Sequence, residues 1–426
     1  MACEKVRIGS EAEARLHLQP VVLGADIFGY TLVREFNRVY GLRSIVLATA
    51  DVKFTSSSRF CDYRIVEGID QEDVLVDYLL ELGEELARTG RLGIVIGAGD
   101  WYARILSQHK PELERWLCVP YIDFGLLDLI TQKEAFYQAC EELGMDYPAT
   151  WYLPCDEPDP SFDPHAFPYP LIAKPSNSAK WHYAEFEGKK KVFEVEGPDE
   201  LARIYEGACG SCYDAKLVIQ DFIPGADAGL HSVTTYSDAE GNLVMSCMGQ
   251  VVLQDHAPSA IGNPVLICDK RVEHVLEQAA RFLKRFGYRG FANFDVKYDP
   301  RDGSYRFFEV NTRAGRNTFY VTLAGVDFVR LYVRDFAIGE TLERHDATKP
   351  FCYSVVPRKV VERTVDDPEL RERVLGMYDS GLAQSPLSYQ PDTLAHRLWS
   401  EVNLRHQVQK FKKYVWDTGG RQAASD

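Results

Sequence analysis

The chain has 426 residues, 46% hydrophobic and 12% aromatic, enough to bury the cores of two or three domains. A formal net charge of -15 excludes a protein that holds nucleic acid or an anionic membrane by nonspecific counterion release, so any anionic ligand must meet a local basic pocket. Ten cysteines scattered through so long a chain do not form the dense framework of a secreted disulfide scaffold.

The N-terminal "MACEKVRIGSEAEARLHLQP" carries charges where a signal peptide needs an apolar core. Nowhere do about 18 apolar residues run together, so no transmembrane segment is expected. The expectation is a soluble, cytoplasmic, reduced protein. "QPVVLGADIFGYTLVREFNRVYGLRSIVLATAD" then reads as strand, Gly-bounded turn, amphipathic helix and second strand, a βαβ unit. Helix-like "QEDVLVDYLLELGEELARTG", strand "RLGIVIGAGD" and helix-like "WYARILSQHKPELERWL" extend it into an open α/β domain over residues 1–128. Gly24 and Gly29 flank the first turn, and Gly97 and Gly99 follow a later strand, at the sheet edge where such domains bind ligands. "GADIFG" is not the dinucleotide fingerprint GxGxxG, however, which weakens a nicotinamide-dependent oxidoreductase reading.

From Thr131 the pattern changes to a helix, "TQKEAFYQACEELG", in which Lys133 reads equally as a solvated helix residue or a ligand contact. The Pro- and Asp-dense "PCDEPDPSFDPHAFPYP" is a loop separating modules. Strand "PLIAKPSN" ends at Lys174, whose ammonium is costly to bury without a partner, and a phosphate is a natural one. The following "PSNSAKWHY", with Ser176, is small and polar and able to fold over phosphates with backbone N–H groups, as a plain surface loop would also be. Cys209 and Cys212 form a CxxC, which without further ligands or a redox context reads as part of a polar loop. "LVIQDFIPGAD" offers a strand, the polar pair Gln220 and Asp221, the apolar pair Phe222 and Ile223, and a Pro-Gly turn before Asp227. A hinge of this kind can meet a purine edge with its backbone and leave Asp227 free for ribose hydroxyls.

The densest chemistry lies in "ANFDVKYDPRDGSYRFFEVNTRAGR". Period-two alternation puts Asn293, Asp295 and Lys297 on one face of the first strand, and Glu309 and Asn311 on one face of the second. A loop over Pro300–Ser304 would set Asp295 opposite Glu309. Facing carboxylates repel unless a cation lies between them, and hard oxygen donors beside lysines suit Mg²⁺. A solvated hairpin face is the alternative; against it, Ala292, Phe294, Val296, Phe308 and Val310 make the other face apolar.

In order, Lys133, Lys174, Gln220 to Ile223, Asp227, Asp295, Glu309-Val310-Asn311 and Arg313 resemble the ATP-grasp superfamily. "CVPYIDFGLLDLITQKEAFYQACEELGMDYPATW", "KPSNS", "VIQDFIPGAD", "APSAIGN", "GFANFDVKYDPRDG" and "NTRAGR" look like the D-aspartate ligase family of Gram-positive cell-wall synthesis. The resemblance implies an α/β plus α+β chain: an N-terminal pre-ATP-grasp domain, an ATP-grasp domain over 129–345 with subdomains 129–215 and 216–345, and an extension over 346–426. It implies ATP held by Lys133 and Lys174 at the phosphates, Gln220 to Ile223 at the adenine and Asp227 at the ribose. One or two Mg²⁺ ions would sit on Asp295, Glu309 and Asn311, with Arg313 at the developing acyl phosphate. The substrates implied are D-aspartate, through its β-carboxylate, and the lysine amine of UDP-MurNAc-pentapeptide.

To this the chemistry adds Lys297 at a phosphate and Arg316 as a bidentate clamp on the acid's second carboxylate. A surface ion pair is the alternative for each of the two arginines. Gly229, His231, Gln254, His256, Thr312 and Ala314 depart from the family pattern, which bears on the acid and amine substrates. An ATP-grasp ligase for another amino acid or amine, and a non-catalytic ATP-binding regulator, are the rival readings. The last run, "HRLWSEVNLRHQVQKFKKYVW", spaces Leu398, Val402, Val408, Phe411 and Val415 helically, with Lys410, Lys412 and Lys413 on other faces. That stripe fits either a membrane surface or burial against the catalytic domain.

Overall fold

The computed structural model describes residues 4–258 and 260–417, so that Ser259 of "APSAIGN" and both chain ends lie outside the described residues. The chain opens with a parallel sheet of β1 (Leu18–Leu23), β2 (Ser44–Ala48), β3 (Cys61–Ile65), β4 (Leu92–Gly97) and β5 (Leu117–Cys118), ordered β3-β2-β1-β4-β5. β1, β2 and β4 are buried along their whole length, as parallel strands covered by helices on both faces must be. Strand order reverses between β1 and β4, so the turns after them, Gly24–Asp26 and Ala98–Asp100, open at the switch point of the sheet.

A second, antiparallel sheet holds β6 (Thr150–Pro154), β7 (Leu171–Pro175), β8 (Phe193–Val195) and β9 (Lys216–Asp221), ordered β6-β9-β7-β8. Before it, the sequence reading of one helix from Thr131 to Gly144 gives way to two, Phe124–Thr131 and Lys133–Glu142. Gln132 is extended between them at φ -74 and ψ 125, and Lys133 becomes the first residue of the second helix. "PSNSAKWHY" is likewise not an open loop: residues Ser178–Tyr183 form a short helix capped by Asn177.

The third sheet is the largest: β10 (Leu230–Ser237), β11 (Leu243–Gln254), β12 (Pro264–Asp269), β13 (Gly290–Tyr298), β14 (Tyr305–Asn311), β15 (Cys352–Ser354) and β16 (Ala383–Gln384), ordered β14-β13-β10-β11-β12-β15-β16. Phe294 and Phe307 beneath the β13–β14 hairpin are fully buried, with the Phe294 ring against Phe282 and Phe307 at 5.6 Å each. Burying each such ring contributes ~1.5–3 kcal/mol, which fixes the hairpin's apolar face inward and leaves its carboxylates on the other.

The C-terminal helix Leu394–Phe411 docks on the body through part of the anticipated stripe, Phe411 buried in the core and Val408 and the following Val415 packed against it. Leu398 is 62% exposed, while His396, Ser400, Gln407 and Phe411 are buried. Polar His396 packs inward beside them because its groups find partners: the ring bonds the Leu387 carbonyl at 2.9 Å and stacks on Tyr30 at 4.5 Å. Among the described residues no helix is long and apolar enough to cross a membrane. All described cysteines are free thiols; Cys209 closes the Pro198–Cys209 helix and the exposed Cys212 donates to the Tyr183 carbonyl.

Candidate active site

Asp295 pairs with Glu309 and Asn293 with Asn311 across the hairpin, the register anticipated from the sequence. The route to it differs. The turn runs over Asp299–Ser304, one residue longer than anticipated, with Gly303 at φ 77 where a side chain would be strained. Tyr298 therefore opposes Tyr305, and a bulge at Phe308 restores the register before Glu309. The Tyr137 hydroxyl donates to the Phe308 carbonyl at 2.7 Å, and Phe307 N–H donates to the Asp146 carbonyl at 2.9 Å, so the neighbouring segment holds the bulge open. As a result Phe307, not Phe308, shares the buried face with Val310.

Above that face Asn311 Nδ2 donates to Asp295 Oδ2 at 3.1 Å, and Asn293 Nδ2 reaches Asp295 Oδ1 at 3.4 Å. Asn293 is itself fixed by the Ser232 and Thr234 hydroxyls at 3.0 and 2.8 Å. Burial and the facing Glu309 raise the Asp295 carboxyl above its ordinary range. Lys133, at the start of its helix, brings Nζ within 3.7 Å of Glu309 Oε2. Lys174 on β7 looks across from the second sheet. Burial and the like charge of Lys133 push its ammonium down to about 7, with only Glu309 opposing, and it has no hydrogen-bond or ion-pair partner among the described residues. Ser176 is spent on structure, its Oγ accepting from Lys216 N–H at 3.3 Å.

Two arginines reach this centre from the "NTRAGR" loop, each held by an aspartate from a switch-point turn. Arg313 Nη2 donates to Asp100 Oδ2 at 2.9 Å and lies 3.5 Å from Asn311 Oδ1. Its Nε is 2.9 Å from Asp100 Oδ1 but poorly aligned, and so without a true hydrogen bond. Burial opposes the Arg313 charge, yet Asp100 outweighs it and holds the guanidinium above its usual range. Arg316 Nε donates to Asp26 Oδ2 at 3.1 Å, while Asp26 Oδ1 caps the Ile27–Tyr40 helix by accepting from Phe28 and Gly29 N–H. Asp26 and Asp100 were missed as site residues in the sequence; the glycines flanking both turns were the only local signal.

The hinge departs further from the sequence reading. Lys297 shares a strand face with Asp295, but its Nζ donates to the Ile223 carbonyl at 2.7 Å and lies 5.6 Å from the Phe222 ring. One of its three N–H donors is thus spent on the hinge backbone. Arg301, in the hairpin turn, clamps Asp221 with Nη1 at 3.1 Å and Nη2 at 2.5 Å, tying the hinge to the third sheet. Gln220 is buried with its amide on Thr150 at 2.9 Å.

Asp227 is not left open either: Oδ2 accepts from Gln254 N–H at 3.0 Å and from His256 at 2.9 Å, and Oδ1 from the Gln254 amide at 2.8 Å. Two of the departures from the family pattern thus sit directly on Asp227. The others are packing: His231 is buried with its ring edge on Tyr305, burial pushing it down to about 4, and Thr312 and Ala314 are buried.

The Asp227 hydrogen bond raises the His256 pKa against opposing burial, with Asp255 adding to the rise. A raised folded value means stabilisation that is full below the unfolded value of about 6.5 and is lost as pH rises through the folded one. Urea denaturation should therefore find His256→Asn less stable than the parent by about 1 kcal/mol near pH 5.5, the gap narrowing well above neutrality. An equal gap at both ends would show that charge plays no part.

The residues fit both groups that the pattern implies. An unpartnered, half-neutralised ammonium beside a second lysine calls for a polyanion. A buried carboxylate facing a second one calls for a cation; with one amide the pair leaves Mg²⁺ room for phosphate oxygens and water, which is its habit. Among the described residues no cluster of three His, Cys, Asp or Glu side chains forms a closed metal cage.

Comparison with known proteins agrees with this geometry. Residues 200–345 match the model of the carbamoyl-phosphate synthase L chain ATP-binding domain. In fold the chain is similar to an L-amino acid ligase from Bacillus licheniformis, at TM-score 0.54 and 14% identity over 76% of this chain and 75% of that one. It is similar also to N5-carboxyaminoimidazole synthetase from Staphylococcus aureus complexed with ADP, at TM-score 0.55 and 11% identity over 83% and 84%. A D-aspartate ligase from Enterococcus faecium (strain Aus0004) is 32% identical over 414 residues, 93% of this chain and 96% of that protein. With the paired carboxylates, the facing lysines and the hinge all in ATP-grasp order, this chain belongs to the D-aspartate ligase family of ATP-grasp enzymes.

Proposed function

We propose that the chain joins the β-carboxylate of D-aspartate to the lysine ε-amine of UDP-MurNAc-pentapeptide, with cleavage of ATP to ADP and phosphate through an acyl phosphate. The observation that carries this reading is the convergence of Lys133, Lys174, Asp295, Glu309 and Asn311 between two sheets, with Arg313 at its rim. Bound Mg²⁺, as one ion or two, supplies charge neutralisation at the transferring phosphoryl group. Asp295, Glu309 and Asn311 hold it; Lys133 and Lys174 hold the phosphates, Lys174 regaining its full charge as an anion arrives.

Gln220 to Ile223 line the adenine with Lys297 steadying their backbone, Ser176 ties the end of β7 to β9 at Lys216 beside the phosphates, and Asp227 turns from Gln254 and His256 to the ribose. Arg313, held rigid by Asp100, donates to the oxygen that gains charge when the amine attacks, and Arg316 binds the acid's second carboxylate. Holding amine and acyl phosphate together while excluding water provides the rest of the acceleration. The working units are residues 1–128, 129–345 and 346–426, in a reduced, cytoplasmic setting consistent with free thiols. A purely regulatory ATP-binding role is disfavoured by the intact carboxylate pair, which costs energy to keep unless a cation is bound.

ADP release should be measured with Mg²⁺, UDP-MurNAc-pentapeptide and, in turn, D-aspartate, L-aspartate and other amino acids, with mass spectrometry of the product. Turnover confined to D-aspartate, with a product heavier by one aspartyl residue, is expected. Turnover with a different amino acid would shift the reading to a sister ligase.

A further inference from the structure

The Arg316–Asp26 pair is partly open to solvent, its side chains 40% and 39% exposed. It forms one wall of a cavity of about 220 Å³ where all three parts of the chain meet. Asp26 comes from the turn after β1, Val265 and Tyr353 from the third sheet, and Asn403 and Gln407 from the C-terminal helix. At about 30 Å³ per water, the space holds roughly seven waters or one small organic molecule. Asp26 and Arg316 are its only charged lining residues.

Two features of this lining are incomplete as they stand. The Arg316 guanidinium uses only Nε, on Asp26, and its two terminal nitrogens have no partner among the described residues. Gln407 is 9% exposed, and its buried Oε1 has no hydrogen-bond partner. An unused planar fork of donors suits a carboxylate. An orphaned carbonyl oxygen beside a carboxylate whose second oxygen already serves as a helix cap suits an ammonium.

We propose that this cavity is the head-group site of the amino-acid substrate: Arg316 takes its α-carboxylate, and Asp26 Oδ2 together with Gln407 Oε1 takes its α-ammonium. The proposal rests on the ligase reading for which carboxylate reacts. Arg316 is three residues from Arg313 on one loop, and the proposal requires the side-chain carboxylate of a zwitterion held here to reach the Asp295 and Glu309 centre. Three fixed points, the ammonium, the α-carboxylate and the reacting carboxylate, are what a site needs to distinguish mirror images. The C-terminal helix thereby becomes a specificity wall and not a membrane foot.

Calorimetry with Mg²⁺-ADP present should compare D-aspartate, L-aspartate, succinate and the common amino acids on the full chain, on Asp26→Asn and on Gln407→Leu, beside ADP-release kinetics. Asp26→Asn keeps a helix-capping side chain, so the fold is retained. The parent should bind one aspartate enantiomer and not succinate, which lacks the ammonium. Each variant should weaken that binding at least about tenfold, leave ATP affinity unchanged, and narrow the discrimination against succinate. Unchanged amino-acid affinity in both variants, no amino-acid binding by the parent, or equal binding of succinate would overturn the site, even with ligase turnover intact. Binding that depends on Asp26 and Gln407 without ADP release from any amino acid would uphold the site and bring down the ligase reading instead.

Discussion

Glu309→Gln should lose about a thousandfold or more in kcat for ADP release at millimolar Mg²⁺, about 4 kcal/mol of transition-state stabilisation, and melt no lower than the parent. The volume is unchanged and the side chain is 49% exposed, so packing is not at stake. What changes is charge. The Asp295 carboxyl no longer faces a like charge, and Lys133 loses its counter-ion at 3.7 Å. A structural role for the hairpin carboxylates predicts loss of stability with activity kept; a metal-holding role predicts the reverse. Parent-like turnover in a Mg²⁺ titration would remove the metal assignment.

The second large effect concerns Lys174→Met. ATP affinity should fall about a hundredfold or more by calorimetry, roughly 3 kcal/mol, since a charge-assisted contact is lost at the floor of the cleft. The nucleotide-free variant should nonetheless be more stable than the parent at neutral pH. The folded value of about 7 lies below the ordinary lysine value, so between about pH 7 and pH 10 the unfolded chain binds the extra proton and parental stability rises with pH. The advantage of methionine is therefore greatest at and below neutrality, on the order of 3 kcal/mol, and fades toward pH 10. Denaturant melts at three pH values check this. A variant less stable at every pH, with ATP binding intact, would make Lys174 a structural lysine.

The pairing of Asp295 with Glu309 depends on the bulge at Phe308 as well as on the turn, but the carboxylate face itself was legible because strand alternation is local. The bulge at Phe308 was not, since either aromatic of the Phe307-Phe308 pair could have pointed inward, and Tyr137 and Asp146, far away in sequence, decide between them. The hinge contact of Lys297 was hidden for the same reason. Its strand face was right, but a carbonyl at Ile223, 74 residues earlier, intercepts its ammonium. Asp100 and Asp26 lie 213 and 290 residues from the arginines they hold, distances over which no spacing rule operates. The C-terminal helix shows how far apolar stripes can be read: Phe411 and Val408 packed on the core as the spacing implied, but Leu398 stayed out while His396 and Ser400 turned inward.

The third sheet is finished by segments that come late. β15 pairs with β12 through Leu266–Ser354 and Cys268–Cys352, and β16 follows on β15, while all the carboxylate and amide ligands lie before residue 312. During synthesis the complete catalytic set thus leaves the ribosome before its sheet has an outer border. Until Cys352–Ser354 emerges, Pro264–Asp269 is a bare apolar edge open to pairing with another nascent chain. A truncation after residue 345 would keep every ligand named for ATP and Mg²⁺ and still fail as a protein, by aggregation and not by chemistry.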